Sequence, residues 1–355
     1  MLVRVVLTLL GVIFVVLALN DVFQSVIVPR AVGRSFRVSH ILWRFGWRLW
    51  PRLSFRIYGG NEPAREDFLA LFAPVTLVVQ LIVWSILVLV GFGMIFWASS
   101  HDIGPHPRTF WEAVYFAGTS YFTIGFGDYV GRSGWTRLCS LAAGAAGFGV
   151  VGTTTAFLFA IFGAFQSREQ FVLTVGARAG TPPSGVALLV IAQEARIVDS
   201  LPVLMRSAQS WCALVMETHL AYPVLAYFRS SHDYQSWVGT LGTLLDAATL
   251  LLTTVQGDAG EARILYDIGR HASRDLSSYF RMPSDENESG LTREEFDNAC
   301  EHLKTAGYAL HDRAAAWERF VTLRRAYATH LDALAHYFSI PPLQWIGDRS
   351  SISPH

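Results

Sequence analysis

Three stretches of this chain are each at least as long and apolar as the roughly 20 residues that cross a bilayer, and they constrain everything else. Residues 2–28 read LVRVVLTLLGVIFVVLALNDVFQSVIV, residues 69–99 are nearly free of charge, and residues 135–165 are rich in Gly, Ala and Phe. Composition agrees: 52% of the 355 residues are hydrophobic and 16% charged, and the mean hydropathy is +0.34, values foreign to a cytosolic globular chain. A secretory leader is the alternative for the first stretch, but its apolar run is long and LALND is a poor small-residue cleavage site. Residues 1–29 are therefore expected to form an N-terminal transmembrane helix.

Lys+Arg and Asp+Glu are equal at 28 each, so total charge points to neither nucleic acid nor an acidic substrate. Its distribution says more. Between the first two spans the chain carries Arg30, Arg34, Arg37, Arg44, Arg48, Arg52 and Arg56 and no acid before Glu62. The positive-inside rule makes this loop cytoplasmic. The N-terminus then starts outside, the second span runs outward, and the third returns, which describes a multi-pass protein of the plasma membrane with its C-terminal part in the cytoplasm. Arg44, Arg48, Arg52 and Arg56 recur every four residues with Trp43, Phe45, Trp47 and Trp50 between them, the pattern of an amphipathic segment on anionic lipid headgroups. A voltage sensor would need these arginines inside a spanning helix; here Pro51 interrupts and no apolar span surrounds them. Residues 30–68 are expected to be this basic, Trp-rich interfacial segment.

Beyond Gln170, Gly176, Gly180, Pro182, Pro183 and Gly185 mark residues 171–185 as a linker. Residues 186–355 then show apolar positions at helical spacing in ALLVIAQEARIVDSL, QSWCALVMETHLAY, YQSWVGTLGTLLDAATLLLTTV and ARILYDIGRHASRDL. Thr292 and Glu295 have capping-box spacing at the head of another helix, a last helix covers 313–337, and RMPSDENESG is a polar break. No strand pattern persuades, so this is an all-α domain. The stretch 237–255 could pass for a fourth span, but Asp246 at its centre favours a buried core helix. Cys139, Cys212 and Cys300 are three, widely separated and without CxxC spacing, which predicts buried free thiols and neither a disulfide framework nor a zinc site. Glu217, His219, His232, Asp233 and Asp246 fall at no ligand or triad spacing, so nothing suggests an enzyme.

Between the second and third spans lies TSYFTIGFGD, residues 119–128. A cation crossing hydrocarbon must exchange its water shell for oxygen ligands, and a backbone supplies closely spaced rings of them if its carbonyls turn one way. That requires alternate residues to visit left-handed φ, which Gly125 and Gly127 permit without steric cost. Thr123 can add its hydroxyl to the lowest ring, and Phe126 should wedge the segment against surrounding helices.

Thr123-Ile124-Gly125-Phe126-Gly127-Asp128 resembles the selectivity-filter signature of potassium channels, the class in which carbonyl-ring selectivity is best described. The resemblance covers residues 69–170. It implies an all-α membrane protein with an outer helix, a short pore helix over 110–122, the filter Thr123 to Gly127, and an inner helix. It also implies potassium ions in the filter, no organic cofactor, and, with one filter per chain, a homotetramer. Loop 101–108 would be the outer turret. Thr119 stands where many relatives carry a glutamate behind the filter, so Tyr115 is expected to hydrogen-bond Asp128 instead. Counting nineteen residues from Asp128 gives Gly147 as the inner-helix hinge, with Gly144, Gly149 and Gly152 nearby and close helix packing as the other reading. Thr153, Thr154 and Thr155 are expected to line the cavity, and Phe159, Phe162 and Phe165 to form an apolar constriction. The function so implied is passive potassium conduction, regulated by the C-terminal domain. A membrane-anchored, partner-binding sensor with a vestigial pore and a weakly selective cation channel are the alternatives.

Overall fold

A computed structural model describes residues 1–28, 37–180, 182–230, 235–282, 291–341 and 344–345. The chain divides into two compact units, Met1–Phe162 and Gly163–His355. Among the described residues both are all-α apart from one pair of two-residue strands and an isolated β-bridge between Val255 and Leu310, and three helical stretches, Leu2–Ile27, Glu62–Ala98 and Gly134–Ala179, are long and apolar enough to cross a membrane.

In the first unit, α1 (Leu2–Val22) ends in a π-helical turn, Phe23–Ile27, and lies along α4 (Phe72–Ala98). Glycine makes this pairing close: a Cβ on Gly91 would sit 2.8 Å from the Gly11 carbonyl oxygen and 2.7 Å from Val15 Cγ2. In lipid, where no hydrophobic force drives helices together, such small-residue contacts are what dispersion needs. Near the end of α1, Asp21 is 1% exposed. Its carboxylate accepts from the Ser39 amide at 2.9 Å, the Ser39 hydroxyl at 2.7 Å and the Trp84 indole at 2.8 Å.

Ser39 opens α2 (Val38–Tyr58), and Asp21 therefore fastens the start of α2 to α1 and α4 together. Helix α2 is amphipathic as expected. Trp43 and Trp47 are buried with ring centroids 5.6 and 4.9 Å from Phe72, and Trp50 stacks on Phe68 of α3 (Glu62–Ala70) at 4.7 Å. The Trp43 indole also donates to Gln80 Oε1 at 2.5 Å. Arg44, Arg48, Arg52 and Arg56 are exposed, and α2 is not among the helices apolar enough to span. Pro51 lies within α2 without ending it. Arg30 and Arg34 lie outside the described residues.

The expected linker at 171–185 is shorter than its glycines suggested. Helix α6 runs unbroken from Gly134 to Ala179, and the division between units falls after Phe162. Gly176 does not break the helix because its open side is filled: a Cβ there would meet the Gln235 amide nitrogen at 2.5 Å. The chain turns only at Gly180, φ +82°, ahead of Pro182 and Pro183, and Ser184 caps α7 (Gly185–Glu194) by accepting from the Ala187 amide at 3.0 Å.

The second unit is built around α9 (Trp237–Thr253), buried at every position from Trp237 to Leu250 and packed by α7, α8 (Leu201–Ala221), α10 (Gly260–Tyr279) and α12 (Arg313–Tyr337). Its Asp246 is the core charge that the sequence placed at a helix centre. Asp246 Oδ1 accepts from Arg324 Nε at 3.0 Å and from the Tyr327 hydroxyl at 2.7 Å, and Arg324 also donates to the Trp345 carbonyl. Two expected elements differ or sharpen. The apolar run 187–201 is cut by Arg196, φ +57°, and a 3-10 turn Val198–Ser200, so α7 and α8 are separate. Helix α11 (Arg293–Ala306) begins with both halves of the Thr292–Glu295 capping box. All three cysteines are free and buried; burial pushes the Cys212 thiol up to about 12 and Cys300 up to about 11, which leaves both unreactive at neutral pH. The polar break lies largely outside the described residues.

Removing one partner from the Asp246–Arg324 pair leaves a buried charge unmatched. Arg324→Leu is expected to destabilise the second unit by about 3–5 kcal/mol, and Asp246→Leu/Arg324→Leu to recover part of that. Thermal unfolding of the detergent-solubilised chain measures it, and a single variant that melts like wild type would contradict the assignment.

Candidate functional site

The residues of interest follow a short helix, α5 (Phe110–Tyr121), whose two ends are fixed differently. At its start the Thr109 hydroxyl accepts from the Glu112 amide at 3.3 Å, and the Glu112 carboxylate accepts from the Arg108 amide at 2.7 Å and from the Tyr129 hydroxyl at 3.0 Å. The acid therefore does more than complement the helix dipole, because it holds the chain on the far side of the motif. Tyr115, one turn further on, interacts through its hydroxyl with Asp128. Two side chains of α5 thus tie down two consecutive residues after Gly127.

At the other end, Tyr121 is buried against α4 with its hydroxyl 3.1 Å from Ser85 Oγ. The Phe122 amide donates to the Gly118 carbonyl at 2.9 Å and Thr123 to Ser120 at 3.0 Å; the Thr119 carbonyl then accepts from both Ile124, at 2.9 Å, and Gly125, at 3.2 Å. Thr119 is itself buried, with its hydroxyl bonded to the Phe116 carbonyl at 3.0 Å. Its contribution to the motif is the main-chain oxygen.

From there the backbone alternates. Thr123, Gly125 and Gly127 have φ of +54°, +60° and +81°, whereas Ile124 and Phe126 between them are not in the left-handed region. This is the conformation that turns successive carbonyls toward one side. Left-handed φ is unusual for a β-branched residue and costs about 1–3 kcal/mol where surroundings enforce it. At Thr123 the enforcing contacts are its amide bond to Ser120 and its hydroxyl, which donates to the Phe122 carbonyl at 2.7 Å.

Residues 122–128 are exposed throughout, with Phe126 at 68% and Ile124 at 52%. The expected wedge of Phe126 against surrounding helices is therefore not made within one chain. The outer flank is instead stitched to the loop before α5 by β1 (Ile103–Gly104) and β2 (Val130–Gly131), paired antiparallel, with the Arg132 amide on the Asp102 carbonyl at 2.8 Å. The expected turret loop is the other half of this pairing.

Helix α6 presents two faces. Gly144, Gly147, Val150, Thr154, Phe157 and Ile161 recur at helical spacing, and Val150, Thr154, Phe157 and Ile161 are buried. A Cβ at Gly144 would lie 3.3 Å from the Ser120 carbonyl oxygen, and one at Gly147 would collide with that of Tyr121. Of the two readings of Gly147, the geometry supports packing, since α6 needs the missing side chain to approach the end of α5. The helix continues through Gly147. Thr154 was expected to line a cavity; helical phase puts it on the packed face instead, 8% exposed. Thr155, Phe159 and Phe162, at spacings of four and three, are exposed on another face, with Phe159 at 76%.

Sequence reasoning missed Tyr129, Ser85 and Asp21. The Thr109-x-x-Glu112 spacing signals the start of α5 but not Tyr129, and no short-range pattern announces the other two. Among the described residues no cluster of His, Cys, Asp and Glu is placed to hold a metal.

Residues 75–164 match a family model described as an ion channel. The uncharacterized membrane protein YdjJ of Bacillus subtilis (strain 168) is 22% identical over 189 residues, 51% of this chain and 54% of that protein, so the chain spans about half the length of the curated relative it matches. No solved structure matches the chain. The family match supports an ion channel rather than an enzyme, and with the apolar helices and the membrane-protein relative it supports a membrane location.

Gly147→Ala is expected to force α5 and α6 apart and to cost about 1–3 kcal/mol, as overpacking does. A lowered melting temperature in detergent checks this, and an unchanged one would remove the close approach at Tyr121.

Proposed function

We propose that the chain is one subunit of a homotetrameric channel that conducts potassium passively and selectively. The observation that carries this reading is the alternation of left-handed φ at Thr123, Gly125 and Gly127 directly behind the C-terminus of α5. Stacked carbonyls from Thr123 to Gly127, with the Thr123 hydroxyl below them, replace the hydration shell of a cation in several successive sites. The partial negative charge at the end of a helix, about half an elementary charge, adds attraction where the ion is furthest from water. Asp128, held by Tyr115, and Tyr129, held by Glu112, keep the outer end of the filter from relaxing.

One such segment supplies one wall of a pore, so four copies are required. The exposure of Ile124 and Phe126 in the single chain fits this, because neighbouring copies would cover them. Thr155, Phe159 and Phe162 share the face suited to the cavity and to an apolar constriction below it. The exposed arginines of α2 meet the anionic inner headgroups, with the N-terminus outside and the second unit in the cytoplasm, where it regulates opening.

The test is uptake of potassium into proteoliposomes, with sodium replacement and barium block, beside Gly125→Ala. A left-handed position closed to alanine should lose at least tenfold of the flux. Uptake that is barium-sensitive, prefers potassium and vanishes in the variant is the expected result. Equal sodium uptake would indicate a weakly selective channel. Absent uptake at every condition would leave a membrane-anchored sensor. Solubilised protein is expected to have the mass of four chains.

A further inference from the structure

Arg168 is a cation 1% exposed near the end of α6, within the second unit. Every guanidinium donor is used. Nη1 donates to the Leu225 carbonyl at 2.9 Å and faces His219 Nε2 at 3.3 Å; Nη2 donates to the Phe228 carbonyl at 2.8 Å and pairs with Glu169 Oε1 at 2.8 Å; Nε reaches the same Glu169 oxygen at 2.9 Å. The Arg168 carbonyl accepts from the Trp211 indole at 3.2 Å, and the Phe165 ring lies 5.1 Å from the guanidinium. A single residue of α6 is thereby clamped to α8 and to the 3-10 turn Pro223–Tyr227.

The histidine in this clamp is fully buried on α8, with its ring 4.7 Å from that of Trp237. Its Nδ1 lies 2.8 Å from the Val215 carbonyl, which can only accept, so Nδ1 carries the proton and Nε2 offers its lone pair to Arg168. That arrangement exists only for neutral imidazole. Adding a proton to Nε2 turns an acceptor into a donor, pointed at another donor, and sets two positive charges 3.3 Å apart at a buried site, where charges are weakly screened.

We propose that His219 is a proton-binding site and that its occupation releases the end of α6 from α8 and from the turn Pro223–Tyr227. Among the described residues, the groups facing the ring are Arg168 from α6, the rings and hydroxyl of Trp237 and Thr218, and the carbonyl of Val215; the nearest carboxylate in the cluster, Glu169, is engaged by Arg168. Burial, first, and the Arg168 charge, second, hold His219 well below the ordinary imidazole value of 6.5, against the opposing effect of Val215. The sign follows. Above 6.5 neither state is protonated and the clamp is at full strength; below it the released state takes up a proton that the clamped state refuses, so the clamp weakens as pH falls.

Arg168, the residue that His219 faces, lies on the helix that carries Thr155, Phe159 and Phe162, so the effect on conduction rests on the channel reading, whereas the release itself does not. The test therefore reads structure and flux separately in the full-length chain in nanodiscs and proteoliposomes. Amide hydrogen exchange over residues 163–179 and 223–230, corrected for intrinsic rates, is compared at pH 7.5 and 5.0. Protection is expected to fall by up to about thirtyfold, since pH 5.0 is 1.5 units below the free imidazole value. His219→Gln keeps an acceptor for Arg168 but cannot charge, and its protection should not respond to pH. Equal protection of wild type at both pH values, or the same loss in His219→Gln, overturns the proposal. Exchange of the His219 C2 hydrogen in wild type gives a check independent of the variant: its titration midpoint has to coincide with the loss of protection, and separate midpoints overturn the proposal. Loss of protection without flux at any pH would count against the channel reading and leave the proton site standing.

Discussion

A polypeptide in hydrocarbon has to satisfy each amide and carbonyl internally or line a watery space, and residues 122–127 can do only part of the first. Four of their amides fold back on the last turn of α5, two of them sharing the Thr119 oxygen. Beyond Gly125 the backbone has no helix or sheet to join. Everything around it serves to hold that short stretch in place: β1 and β2 on one side, Glu112 and Tyr115 on the other, and α6 pressed against the end of α5 through Gly144 and Gly147. The support combines main-chain hydrogen bonds with the carboxylate of Glu112 and the hydroxyls of Tyr115 and Tyr129.

The polar residues of the first unit obey the same rule. Gln80 and Asp21 are buried, and each is met by an indole N–H from another part of the chain. Tryptophan suits this use, since it fills an apolar space and carries one donor. In the second unit the equivalent solution is ionic, with buried Asp246 paired with Arg324 and buried Arg168 paired with Glu169. A buried ion pair contributes little net stability but penalises alternatives severely, because any other packing strands a charge.

Much of this was legible in the sequence, for identifiable reasons. Periodicity and length gave the three spans and the helices around α9, and capping chemistry gave α11. The alternation at Gly125 and Gly127 followed from what glycine permits. Thr123 joins the alternation although its side chain disfavours it, which is a tertiary effect no propensity reveals. The linker was overextended because Gly176 reads as a breaker until its neighbour Gln235 is known. Thr154 was misassigned because three consecutive threonines cannot all face one way on a helix, and the sequence does not state the phase. Asp21 escaped notice for the plainest reason: its partners are far along the chain.

That distance matters for how the protein is made. Helix α1 is synthesised first, and the indole that completes the Asp21 site arrives sixty-three residues later, about 3–13 seconds at ordinary rates of translation. Ser39 of α2 follows Asp21 after eighteen residues, so for most of that interval the carboxylate lacks only the α4 indole. The Asp21 site is therefore complete only once α4 has been made, so the close pairing of α1 with α4 and the fastening of α2 depend on a residue synthesised last of the three helices.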